Sequence, residues 1–247
     1  MYLREPCFDI NELVKENLHV HTSFSGCAKP EMRIKDIVAR AEELKLEKVA
    51  LVDHFNHSNC PMLEKNTADR FNISLTETDI TFLLGAELSA CGVGKWLDSD
   101  AVNAALDYRL YAANHYHLSV WEQPEDKSPR GYAEHTVRLL TALIKADRAD
   151  CIAHPIHGGY VRCLEDKLAL AREVTDNELG DLMALAVQHR VAWEINVNEA
   201  RSDRELSRRM WHTGKELGSV FHFGTDAHRL NEMDTRLHLN ELKDIFD

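Results

Sequence analysis

The sequence has no C-x-x-C pair among its six cysteines, Cys7, Cys27, Cys60, Cys91, Cys151 and Cys163, which removes a zinc ribbon or a thioredoxin-type site. It has no stretch near the ~18 consecutive apolar residues that a membrane-crossing helix needs. The opening residues, MYLREPCFDINEL, carry acids and lack an apolar run, so no signal peptide is read there. These absences lead us to expect a cytoplasmic protein with reduced thiols and no membrane partner. Positive charge is also scarce: Lys and Arg number 29 against 41 Asp and Glu, for a net charge of -12. Such a field repels a phosphate backbone, so a nucleic-acid partner is not expected. Small phosphorylated substrates stay open, because bound cations can reverse the sign of a local site. No composition shift or close repeat divides the chain. Residues 1–247 are therefore read as one domain, long enough to bury a core without disulfide or metal staples.

What the sequence does have is histidine, fourteen of them, many placed where strands are expected to end. Short apolar runs at Leu18–Val20, Lys48–Val52, Thr81–Leu84, Arg109–Ala113, Cys151–Ala153, Ala192–Val197 and Ser219–Phe223 read as seven strands. Helical periodicity follows most of them, as in Ile34–Leu44, Tyr132–Ala146, Asp176–His189 and Arg204–Leu217. Strands alternating with helices imply parallel pairing, and seven such units suggest a closed or nearly closed barrel.

In a parallel barrel the carboxyl ends of the strands share one face. His19 and His21 stand at the first of these ends, Asp53 and His54 at the second and Glu87 at the third. His115 and His117 follow the fourth, His154 the fifth, and Asp226 and His228 the seventh. Residues two apart in a strand share a face, so both imidazoles of His19-x-His21 can reach one ion. Taken singly, each residue has an ordinary explanation, such as a helix cap for Asp53 or Asp226 and a solvated loop for Glu87. Their joint placement at six of seven strand ends is what points to a site. A mixture of imidazole and carboxylate suits Zn, Mn or Fe better than Mg or Ca. Pro155 is expected to hold His154 extended, and Gly224 to let backbone approach closely. The polar stretch Trp121–Gly131 is read as a mobile cover over the mouth.

The series LHVHTSFS, LVDH, LGAELS, LYAANHYH, IAHP and GTDAH resembles the PHP (polymerase and histidinol phosphatase) family, with all six segments in family order between about Leu18 and His228. The resemblance implies an α/β fold, a distorted TIM-like (β/α)7 barrel, with two or three divalent metal ions and phosphoester hydrolysis. Position by position it implies His19, His21, His54, Glu87, His115, His154, Asp226 and His228 as metal ligands. Glu87 is the bridging carboxylate and His117 the fallback for His115. Many relatives carry another His or an Asp shortly after the opening pair. Cys27 stands near that place here, either as a thiolate ligand favouring zinc or as a small filler, with His57 as a further substitute.

Three further residues are assigned to catalysis. Asp53 is a ligand or an orienting partner, His157 or else His117 protonates the leaving group, and Arg162 binds phosphate. Arg201 and Arg229 are the other arginines expected near the mouth. The expected reaction is hydrolysis of a small phosphorylated substrate by a metal-activated hydroxide. The loop Phe55–Ala68 and the loop after the fourth strand are expected to set the substrate. Two other classes fit parts of the pattern. An amidohydrolase-like C–N hydrolase also has an early HxH and a late Asp, and a non-catalytic PHP module would keep the fold without turnover. Oligomeric state is not legible in the sequence.

Overall fold

A computed structural model describes residues 4–56 and 61–247. The strands are β1 (Glu16–Val20), β2 (Lys48–Leu51), β3 (His54–Phe55), β4 (Thr81–Ser89), β5 (Tyr108–Ala112), β6 (Cys151–Ala153), β7 (Ala192–Asn196) and β8 (Phe221–Gly224). The helices are α1 (Ile10–Leu13), α2 (Ile34–Glu43), α3 (Met62–Ser74), α4 (Asp100–Ala105), α5 (Pro129–Lys145), α6 (Ala169–Glu173), α7 (Asp176–His189), α8 (Val197–Ser202), α9 (Arg204–Leu217) and α10 (Leu239–Phe246). Every strand pair is parallel, in the order β1-β2-β4-β5-β6-β7-β8. The short β3 continues the path of β2 and pairs with the second half of β4.

The ends of this sheet meet. Val20 bridges Ala227, with His21 N–H donating to Ala227 O at 3.0 Å and Ala227 N–H to His19 O at 3.1 Å. The result is a nearly closed barrel of seven parallel strands, distorted because β1 and β8 join only at the mouth. The expected fold is the observed one.

Alternation along the strands builds two layers of core. Leu18, Ala50, Val52, Leu110, Ala112, Cys151, Ala153 and Ala192, from the strands and their immediate ends, form a cluster that fills the inside. Their neighbours point outward onto helices: Val49 and Leu51 meet Ile37 and Val38 of α2, while Ile152, Trp193 and Phe221 meet α5, α7 and α9. The helices carry local signals that fix their ends. Ser128 caps α5, with Pro129 at the first helical position where its missing N–H costs nothing, and Thr175 with Glu178 makes a reciprocal capping box on α7. Gly218, at φ 69°, closes α9 in the left-handed conformation that glycine adopts without penalty.

Three local expectations change. β4 runs on to Ser89, so Glu87 lies within a strand rather than after it. The stretch Phe55–Ala68 is not one loop, since α3 begins at Met62. Trp121–Gly131 is pinned rather than loose: Trp121 is buried, Gln123 donates to the carbonyls of Tyr116 and Trp121, and Tyr132 Oη donates to Gln123. Among the described residues, no helix is long and apolar enough to cross a membrane.

Candidate metal centre

β1 does not simply alternate. Its register against β2 shifts between Asn17 and Val20, an irregularity of the kind that re-aims side chains at barrel rims. Leu18 stays in the inner cluster and Val20 in the outer one, while His19 and His21 both turn to the mouth and are fully buried. Their Nε2 atoms lie 3.2 Å apart, with Asp226 Oδ1 at 3.3 Å from the first and 2.9 Å from the second. A second group joins Glu87 Oε1 to His154 Nε2 at 3.0 Å and to His115 Nε2 at 3.5 Å. A third brings the rings of His21, His54 and His228 together.

Glu87 links the groups. Its Oε1 serves the second, while its Oε2 faces His19 and His21 at 3.9 and 3.8 Å and touches His54 Nδ1. The contact between Glu87 Oε2 and His54 Nδ1 lacks hydrogen-bond geometry, so both buried atoms are left without a hydrogen-bond partner. Donors held about 2.0–2.2 Å from a tetrahedral ion stand about 3.3–3.6 Å from one another, close to the spacings seen here.

The protonation of the rings supports the same fit. His19 gives its Nδ1 proton to Glu194 Oε1 at 2.7 Å. Asn114 Nδ2 donates to the carbonyls of His154 and His157, which turns its Oδ1 toward His154 Nδ1 at 3.0 Å. His228 Nδ1 donates to the Asp226 carbonyl at 2.8 Å. Nε2 is then the atom of each ring that an ion would take, aimed at a carboxylate, an imidazole or a thiol. Burial opposes a second proton on these rings, but Glu194 and Asp226 raise His19, Glu87 and Glu194 raise His154, and Cys27 and Asp226 raise His228, so in the metal-free chain a proton can stand in that place. Acceptors meeting at these distances need a proton or a metal cation among them, and metal binding takes these donors in the unprotonated state. The residues therefore fit divalent ions.

The electrostatics follow from crowding. Burial opposes ionisation of Glu87, but the imidazoles of His54 and His115 and the hydrogen bonds of His154 and His19 outweigh it and hold its carboxyl well below the usual range. Asp226 is held low against its burial by His19 and His21. Burial pushes His21 down to about 4 and His115 to about 3, so both remain neutral donors. His54, despite burial, is raised to about 11 by Glu87 and Cys27. Burial acts against ionisation of Cys27 too, yet His228 and His54 bring its thiol down to about 6.

Backbone strain collects here as well. His154 has φ 29°, Ile156 φ 67° and Asp226 φ 55°, values that side chains other than glycine rarely adopt. The expectation that Pro155 keeps His154 extended is corrected. The His154 amide donates to Glu194 Oε2 at 2.6 Å and its carbonyl accepts from Asn114, and these bonds override the preference.

The eight expected ligands, His19, His21, His54, Glu87, His115, His154, Asp226 and His228, thus converge on one mouth. The three residues expected to be catalytic do not join them. Asp53 accepts from Thr22 N at 2.7 Å, Thr22 Oγ1 at 2.6 Å and Ser25 Oγ at 2.6 Å, and pairs with the half-buried Lys65. Both its oxygens are occupied, which leaves no donor atom for the ligand reading and agrees with the orienting one, exerted through Thr22 and Ser25 of the loop after β1. His157 Nε2 is 2.5 Å from Glu199 Oε2 and its Nδ1 accepts from Gly159 N–H, at the rim rather than in the ligand groups. Arg162 is exposed beside His117. Arg201 pairs with Glu241 at 2.7 Å. Arg229 is exposed and lies 3.8 Å from Glu232. His57 lies outside the described residues.

Sequence reasoning missed three residues. Glu194 sits inside β7, between the outward Trp193 and Ile195, where strict alternation of AWEIN would have exposed it as an inward acid. Asn114 stands one residue before an expected ligand, and only its hydrogen bonds reveal it. Tyr160 places its ring 4.9 to 6.1 Å from the imidazoles of His115, His117, His154 and His157, roofing the second group.

The sequence matches the PHP domain family over residues 17–173. No curated protein matches the chain. Among solved structures, it is similar to a family 5 xyloglucanase from Paenibacillus pabuli, at 5% identity and TM-score 0.32, covering 96% of this chain and 100% of that one. It is also similar to a GH5-4 broad specificity endoglucanase from Clostridum cellulovorans, at 11% identity and TM-score 0.34, covering all of both chains. Likenesses this distant carry no argument.

Proposed function

The chain belongs to the PHP domain family, and from that premise we propose that it is a metal-dependent phosphoesterase acting on a small phosphorylated substrate. The observation that carries the reading is the double reach of Glu87. One oxygen faces His115 and His154, and the other faces His19 and His21 with Asp226 beyond them. Neighbouring subsites sharing a carboxylate are the arrangement that in-line hydrolysis of a phosphoester uses.

Zinc, manganese or iron held there would supply a hydroxide near neutral pH and neutralise charge on the phosphoryl oxygens. The chain's own residues do the remaining work. Glu194 holds the Nδ1 proton of His19, and Asn114 that of His154, so both rings keep Nε2 free. Asp53 ties Thr22 and Ser25 down, and Ser25 Oγ in turn meets His21 Nδ1 at 3.3 Å, which orients that ring. Arg162 has no carboxylate partner among the described residues and can fork onto a phosphate at the rim. His157, braced by Glu199, would serve as proton donor to the departing alkoxide once Nδ1, which accepts from Gly159 N–H here, is protonated as well, so that donation leaves a neutral ring. Tyr160 covers the second group and limits water there.

The test is one preparation assayed on an aryl phosphate and on a cyclic amide, with and without chelator. Chelator-sensitive release of phosphate supports the reading. Turnover of the amide alone would assign a C–N hydrolase, and ions without turnover of any ester would assign a non-catalytic module.

A further inference from the structure

We propose that the cleft between Phe24 and the start of α3 receives an uncharged aromatic ring on the alcohol side of the phosphoester. Phosphomonoesters of ring-bearing alcohols are then the preferred substrate class, and Phe24 is a specificity-determining residue. The proposal rests on the reading of the mouth as a phosphoesterase site and names the part of the substrate that lies beyond the phosphate.

Among the described residues, a cleft of about 340 Å³ lies against the mouth, a size within the span of small-molecule pockets. His54 forms part of its wall, and the same ring stands 4.4 Å from that of His21 and touches Glu87. The cleft and the candidate ion groups thus share a wall, so the alcohol of a phosphoester held at the mouth can extend into the cleft. Tyr160 roofs the His115 and His154 side, which leaves the His54 side for that alcohol.

Phe24, Pro61, Met62 and Ala68 supply apolar walls. Phe24 is 65% exposed, although its neighbours Thr22 and Ser25 are buried and bonded to Asp53. The loop is therefore fixed and holds an apolar ring in water at the edge of the cleft. An aromatic group packed there removes water from both rings and gains edge or offset contact. The charges exclude other tails. Lys65, the ammonium in the wall, is answered by Asp53 and by Asp69 at 2.8 Å, and the exposed Glu64 adds negative charge, so a second anionic group is repelled. Lys65 Nζ also lies 5.2 Å from the Phe24 centroid, which disfavours a cationic ring at the same place.

The Zn(II)-loaded full-length chain and its variants are assayed on benzyl phosphate and glycerol phosphate, and calorimetry compares benzylphosphonate with methylphosphonate as ligands. We expect the parent to bind benzylphosphonate about tenfold or more tightly than methylphosphonate, and Phe24→Ala to lower the benzyl-to-glycerol ratio of kcat/KM about tenfold. Ala68→Trp, at an exposed position of α3, fills the cleft and should lower the ratio likewise. Phe71→Ala, 64% exposed on the same helix but outside the cleft, should keep the ratio of the parent. An equal loss on both esters, or a ratio unchanged in Phe24→Ala and Ala68→Trp, overturns the subsite, as does a parent without preference for benzylphosphonate. Turnover of neither ester, with the benzylphosphonate preference present in the parent and lost in Phe24→Ala, would remove the phosphoesterase reading and leave the cleft standing. Neither turnover nor preference would remove both.

Discussion

Replacing Glu194 by Gln changes one atom in a side chain that is 3% exposed and fully engaged. Oε1 accepts from His19 Nδ1 at 2.7 Å and Oε2 from the His154 amide at 2.6 Å. A glutamine can accept at one end only. Turned one way, its NH2 faces the His154 amide, and two donors meet. Turned the other way, His19 must move its proton from Nδ1 to Nε2, where it blocks the lone pair aimed at His21 and Asp226. A buried donor left without an acceptor costs about 1–3 kcal/mol. Loss of such an outer partner lowers metal affinity by about 10–100-fold, or roughly 1.4–2.7 kcal/mol. We therefore expect E194Q to fold, by circular dichroism, and to bind Zn(II) about 10–100-fold more weakly in competition with a chromogenic chelator. An affinity unchanged from the parent would refute the role assigned to Glu194.

Other outcomes follow from the same geometry. Gly224→Ala would push a Cβ to 2.3 Å from Glu194 Oε1 and 2.6 Å from His19 Cβ, so it should weaken ion binding by separating that pair. Asp53→Ala leaves the half-buried Lys65 with Asp69 alone and removes the acceptor for Thr22 and Ser25, so thermal unfolding should show a loss of about 1–3 kcal/mol. Arg162→Ala should raise KM for a phosphate ester while ion content stays constant; an unchanged KM would remove Arg162 from substrate binding. Acid should destabilise the metal-free chain through His222, which burial pushes down to about 3 at the far end of the barrel, against Tyr108 Oη at 2.9 Å. Below its ordinary value near 6.5 the unfolded chain takes up a proton that the folded chain refuses. Stability present above that pH is thus lost as pH falls toward 3, by a few kcal/mol. Urea titrations in chelator at successive pH values would show this slope, and a flat profile would contradict it.

The barrel was legible because its signals are local and repeated. Apolar runs followed by helical periodicity at β1, β2, β5 and β6 need no knowledge of long-range contacts. The ligand groups were legible because a parallel barrel converts strand ends into one surface, whatever their separation in sequence. Asp226 and His228 illustrate this, lying outside the span that matches the family yet within hydrogen-bonding distance of His21 and Cys27. What stayed hidden depends on which way a side chain turns. Asp53 reads like a ligand by position, but Lys65, twelve residues further along the sequence, claims it. Glu194 reads like a mid-strand residue until β7 is known to lie against β8 and Gly224. The strain at His154 was likewise beyond reach, because Glu194 of β7 and Asn114, just past β5, impose it from elsewhere in the sequence.

The central claim is that this mouth holds ions and uses them on phosphoesters. The most direct test is elemental mass spectrometry for Zn, Mn and Fe on protein purified without chelator, with aryl-phosphate turnover measured on the same sample. We expect about two to three ions per chain and phosphate release that chelator abolishes and added metal restores. Less than about one ion per chain after reconstitution, with no turnover, would contradict the account.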